Sequence, residues 1–145
     1  MTVLTTISAL QTKHAAITGV NSAPTAMPSN LDQVTLPVAL VWPGDATWDM
    51  QAIDLRRQER TYIVRVFVQA VAEGIAGPDE GYQACAALVE RFGAAYLGDL
   101  DLGGAVDHIS AVRDSGVSGG GFELLWGNVP YWGFVYRVTI VEKSS

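Results

Sequence analysis

One cysteine and two histidines are spread over 145 residues, and only nine side chains are lysine or arginine. The lone Cys85 can close no disulfide within the chain and builds no cysteine-based zinc site. Charged residues make up 17% of the sequence, below the roughly 25% usual in globular domains. Acids outnumber bases by 15 to nine, giving a formal net charge of −6 and a pI near 4.7. That balance excludes nucleic-acid binding through a broadly basic surface. No G-x-x-x-x-G-K-[ST] segment offers nucleotide phosphates a cradle. The apolar run Tyr62–Ala72 is broken by Arg65 and Gln69, and nothing approaches the ~20 apolar residues of a membrane-spanning helix. The N-terminus has no basic segment ahead of its apolar residues, which Gln11, Thr12 and Lys13 interrupt. This is a poor secretory signal, and the expectation is a chain made in cytoplasm, without membrane partners.

Apolar residues are what the chain has in surplus: 49% are hydrophobic, with a mean hydropathy of +0.22. The length fits one domain, and a chain of this size buries roughly 68–70% of its unfolded surface. The apolar excess beyond such a core needs covering, and a partner surface is one way to cover it. Charge is distributed unevenly. Residues 1–42 balance Lys13 against Asp32, and residues 43–76 set four arginines against five acids. The remainder holds Arg91, Arg113, Arg137 and Lys143 against nine acids.

Val3, Leu4, Ile7, Leu10, Ala15 and Ile17 recur at helical spacing and predict a first helix over about Thr2–Thr18, stopped by Gly19. Asn21–Asn30, with Pro24 and Pro28, reads as an irregular connector. Leu36–Trp42 predicts a short strand ended by Pro43-Gly44-Asp45. Thr61–Val71 alternates, with Tyr62, Val64, Val66 and Val68 on one face and Ile63, Arg65, Phe67 and Gln69 on the other. The two strands read as a hairpin with an unusually long loop, Pro43–Arg60. Pro78-Asp79-Glu80 starts a helix whose stripe of Tyr82, Cys85, Leu88, Val89, Phe92 and Tyr96 ends at Gly98. Ala105–Asp114 and Phe122–Trp126 predict strands around a Gly-Ser turn, and Tyr131–Val141 a last strand. The expected class is α+β, with two main helices on a mixed or antiparallel sheet in the order α-β-β-α-β-β-β.

Several segments imitate catalytic chemistry. Gly116-Val117-Ser118-Gly119-Gly120 matches the G-x-S-x-G nucleophile elbow, which needs a strand-to-helix turn with Asp and His following it. Here a strand follows and both histidines lie upstream, so a glycine-rich hairpin turn fits better. Asp99-Leu100-Asp101 begins like a calcium loop, but Ser110 stands where such a loop needs a bidentate glutamate. An acidic connector is the simpler reading. Cys85 lies in an apolar stripe and reads as core. His14, beside Lys13 and without a carboxylate three or four residues away, reads as a surface residue. His108 is expected to point to the opposite face of its strand from Asp107. No catalytic constellation, metal site or cofactor site emerges, so the chain is not expected to be an enzyme.

Two features are left. Trp126, Tyr131, Trp132, Phe134 and Tyr136 read first as core, with an interface or an aromatic stacking platform as alternatives. The Pro43–Arg60 loop is long enough to be functional. Its Trp48, Met50, Arg56, Arg57 and Arg60 form the candidate assembly interface, expected to be exposed and mobile in the free subunit.

Across about residues 1–143 the order of elements resembles the tail terminator, or tail completion, proteins of long-tailed bacteriophages. The likeness is carried by the N-terminal helix with Ile7 and Leu10, by Leu36–Trp42 and Tyr62–Ala70 around the long loop, by helix Pro78–Leu97, and by the closing strand Tyr131–Ile140. It is one of architecture and texture, with no short signature. The resemblance implies a homohexameric ring that caps the tail tube, stops its polymerisation and meets the head-side connector. It implies a virion protein assembled in the host cytoplasm, with no catalytic residues and with DNA only as passing cargo. Asp99, Asp101 and Asp107 then become candidate acids lining the bore, where repulsion would keep the duplex centred. Another neck protein, such as a head-tail connector or stopper, is the nearest alternative. A small hydrolase and a carbohydrate-binding domain stand further off.

Overall fold

A strand whose two faces are both apolar at one end needs cover on both sides, and residues 61–70 set this condition for the whole sheet. The computed structural model describes residues 3–31, 34–50, 56–71, 78–114 and 123–144. Among them the elements run α1 (Val3–Ala15), β1 (Val38–Met50), β2 (Arg56–Ala70), α2 (Pro78–Leu97), β3 (His108–Asp114), β4 (Glu123–Trp126) and β5 (Val129–Ser144). This is the expected α+β order. The named strands pair antiparallel in the order β1-β2-β5-β3, with β4 also on β5.

Both helices cover one face. Ile7 and Leu10 of α1 and Cys85, Leu88, Phe92 and Tyr96 of α2 meet Tyr62, Val64, Val66 and Val68 of β2 and Phe134, Tyr136, Val138 and Ile140 of β5. The other face is covered at one end only. There Val38, Leu40, Phe67, Ala70 and Tyr131 bury Leu31 from the 16–37 connector, flanked by Trp42, Leu124 and Trp126. The chain crosses to that face through Gly19, at φ 101°. Gln11 secures the crossing, its Nε2 donating to the carbonyls of Pro24 at 2.7 Å and Ala39 at 2.8 Å. Gly133 lets β5 approach β2 closely, since a Cβ there would stand 2.2 Å from the Val66 carbonyl oxygen.

The structure corrects three readings. Pro43-Gly44-Asp45 does not end β1. The register shifts between Pro43 and Ala46, and pairing then continues from Ala46↔Arg60 to Met50↔Arg56. The long loop is therefore mostly hairpin, and of Pro43–Arg60 only 51–55 lie outside the described residues. Proline, glycine and aspartate serve a bulge on an edge strand as well as a turn, and sequence alone does not separate the two. Arg60 Nη1 donates to the Gly44 carbonyl at 2.9 Å and clamps the bulge. Second, His14 is fully buried rather than a surface residue. Third, Asp107 lies in the turn before β3, and its Oδ2 is 3.7 Å from His108 Nδ1 rather than on an opposite face. Boundaries also move: α1 ends at Ala15, β3 begins at His108, and β5 extends to Ser144.

Candidate assembly surfaces

The residues expected to form one interface cluster are divided by the pleat of the β1–β2 hairpin. Five rungs, Ala46↔Arg60 through Met50↔Arg56, extend past Val41 and Trp42, the last β1 residues in the two hydrophobic clusters. Trp48 pairs with Gln58, which places it with Arg60 on the helix side of the sheet. Arg57 and Glu59 alternate to the other side, where their side chains approach to 3.9 Å. Met50 and Arg56 form the last rung; their side chains lie outside the described residues. Trp48 is 56% exposed. Arg60 is only half-exposed and its Nε is buried without a partner, as is that of Arg57. β5 runs beside the hairpin as far as Arg56↔Ser144, so the extension is a three-stranded platform.

At its middle rung, Trp48↔Gln58↔Glu142, the platform is tied to α1. Thr6 donates to Glu142, a carboxylate that is 6% exposed, while Gln58 is buried on the facing rung. Burial, followed by the Glu142 charge, raises the pKa of the neighbouring Tyr62. These buried polar groups carry no sequence signal, because their partner Thr6 stands 136 residues from Glu142.

The candidate bore acids do come together. Asp99, Asp101 and Asp107 line a depression of about 500 Å³ at the C-terminal end of α2, with Leu97, Leu100 and His108. Asp99 is already engaged: Lys13 Nζ stands 2.9 Å from its Oδ2, and the Gly103 amide donates to its Oδ1 at 3.0 Å. The lysine contact, then the amide, holds its carboxyl down to about 2. The loop is an acidic connector fastened to α1. The side chains of Asp79 and Glu80, and the whole of the Gly116–Gly120 segment, lie outside the described residues.

Between the two helices a groove of about 850 Å³ runs past Ala9, Ala16, Ala94 and Ala95, with the Lys13–Asp99 pair and Arg91 on its rim. Arg91 is fixed there, donating to the Thr18 carbonyl at 3.1 Å. The aromatic cluster is core. Phe134 and Tyr136 pack among Phe92 and Tyr96, Tyr131 lies in the cluster on the opposite face, and Trp132 and Trp126 pack against one cluster each. Cys85 is buried and its thiol is pushed up to about 12 by desolvation, as befits a packing residue rather than a nucleophile. Among the described residues no three His, Cys, Asp or Glu side chains are placed to hold a metal ion. Among them also, no helix is long and apolar enough to cross a membrane. No protein-family model and no curated protein sequence matches the chain.

Proposed function

We propose that this chain is a structural subunit of the tail terminator kind, forming a ring that caps a phage tail tube, ends its polymerisation and joins it to the head-side connector. The observation that carries the reading is the β1–β2–β5 platform. It extends a helix-backed sheet beyond its core and presents Trp48 at 56% exposure. A large aromatic side chain held on a rigid strand loses little entropy on docking, which suits it to anchor an interface. The platform leaves one side of the subunit, while the acidic depression lies where α2 ends. Two unlike patches on one subunit make head-to-tail contacts, and such contacts close into a ring when the rotation between neighbours allows. The element order adds the resemblance already described.

Native mass spectrometry of the full chain at micromolar concentration tests the assembly, with six copies as the expected mass. A second assay tests the role: addition of the chain to polymerising tail-tube protein should shorten the tubes and place density at one end. A chain that stays monomeric and leaves tube length unchanged overturns the reading.

A further inference from the structure

Arginines in this acidic chain are concentrated on one side of the sheet. Register and alternation put Arg65, Arg113 and Arg137 on the face opposite the helices. Arg113 and Arg137 stand directly across from each other on β3 and β5, and both are exposed. Arg65 lies over the Trp42 ring, with its Cζ 4.6 Å from the centroid, and so presents a flat cation beside half-buried Ile63 and Val135. Glu59, an acid on this face, sits on the hairpin next to Arg57, and exposed Asp45 stands in the β1 bulge opposite Thr61.

The complementary surface is on the same molecule. In the acidic depression at the end of α2, Leu97 and Leu100 are 73% and 52% exposed beside Asp101 and Asp107. The last turn of α2 holds no basic residue, so the negative helix end adds to these acids. We infer that the open, arginine-bearing face of the sheet docks a second copy of this chain through that copy's acidic 98–107 connector. The inference names a contact within the ring proposed above and rests on that reading. Two further observations favour a second copy over a nucleic acid. The net charge of −6 opposes approach of a polyanion, and the arginines alternate with Trp42, Ile63 and Val135, a mixture suited to the leucine-rimmed connector. In this arrangement the acids expected along a bore lie instead at the subunit boundary.

Two double variants of the full chain test the pairing: Arg113→Glu with Arg137→Glu, and Asp101→Arg with Asp107→Arg. Circular dichroism melts establish that each is folded. If the charge reversals unfold the sheet, Arg113→Gln with Arg137→Gln replaces the first. Sedimentation at physiological salt should show each variant alone needing at least ten-fold more protein to assemble than the parent. An equimolar mixture of the two reversal variants should regain parental mass, because each supplies the charge the other lacks. In the glutamine version the expected result is weakened assembly with a shallower salt dependence. Parental assembly in both variants places the contact elsewhere and overturns this inference while leaving the ring intact. Loss that mixing does not restore also overturns it. A monomeric parent overturns the ring reading itself. A 30-base-pair duplex retarded by the parent but not by the arginine variant assigns the face to nucleic acid and overturns the pairing.

Discussion

The His14 imidazole and the Tyr96 hydroxyl meet at 2.6 Å across the interface between the two helices, from positions 82 residues apart in the chain. Gln11 fixes the proton positions. Its amide nitrogen donates to the Pro24 and Ala39 carbonyls, so its oxygen faces His14 Nδ1 at 2.8 Å and can only accept. His14 therefore donates from Nδ1 and accepts the Tyr96 proton at Nε2. The ring is fully buried and neutral, its pKa lowered to about 3 by desolvation and then by Lys13.

That burial makes stability depend on pH in a set direction. The unfolded chain binds a proton on His14 near pH 6.5, whereas the folded chain does so only near 3. The unfolded state therefore holds more protons between these values, and stability falls as pH drops through that window. The expected loss is on the order of a few kcal/mol by pH 4. Asp99, whose carboxyl is held down to about 2, loses its contribution only as pH falls below its unfolded value. Urea denaturation from pH 7 to 4 checks this: His14→Gln should be less stable at pH 7, with a flatter profile between 6.5 and 4. A parental slope in that variant assigns the titration to another group.

Gly133 separates a packing requirement from a conformational one. An alanine Cβ would sit 2.2 Å from Val66 O and 2.9 Å from Leu124 Cδ1, so the central strand pair would have to part. Gly133→Ala should cost about 3 kcal/mol or more. Gly127, at φ 61° in the β4–β5 turn, has open space around it, and its alanine variant should cost only about 1 kcal/mol. Equal losses in thermal melts of the two variants would contradict the close approach of β2 and β5.

Cys85 reports on global opening. With its side chain buried and its thiol pushed up to about 12, reaction with a maleimide at pH 7.5 should wait for unfolding. The labelling rate in native buffer should match the rate extrapolated from denaturant unfolding. Stoichiometric labelling within seconds would mean that α2 detaches from the sheet on its own.

The elements legible in the sequence are those whose signal is local. The α2 stripe, the β2 alternation and the β5 aromatic alternation each read within a dozen residues, and each lies where expected except at Tyr82, which is 50% exposed at the start of α2. The hairpin is not legible because Pro43-Gly44-Asp45 has turn chemistry, while its use as a bulge depends on Arg60 and on the edge position of β1. The burial of His14 is not legible because its partners are an amide three residues back and a tyrosine on the other helix. The candidate surfaces follow the same division. The three connector acids are close in sequence and do share one depression, but the arginine face is assembled from β2, β3 and β5 and no window of sequence contains it. Residue types for an interface were readable; which side of the sheet each occupied was not, because that depended on the register across the bulge.

Trp48 gives the sharpest test of the platform. Its side chain is 56% exposed on a strand, and neither hydrophobic cluster includes it. Replacement by alanine should therefore change folding stability by no more than about 0.5 kcal/mol, the usual range for surface positions. If the platform is an assembly surface, the same change removes an anchor of the kind that contributes about 2 kcal/mol or more to an interface. That corresponds to roughly 30-fold more protein for half-assembly. The two effects separate in one experiment: melts of Trp48→Ala should overlay the parent's, while sedimentation over a dilution series should shift. Trp48→Phe retains most of the apolar area and should recover much of the loss. An alanine variant that assembles along the parental curve would remove Trp48 from the interface and leave the platform without its anchor.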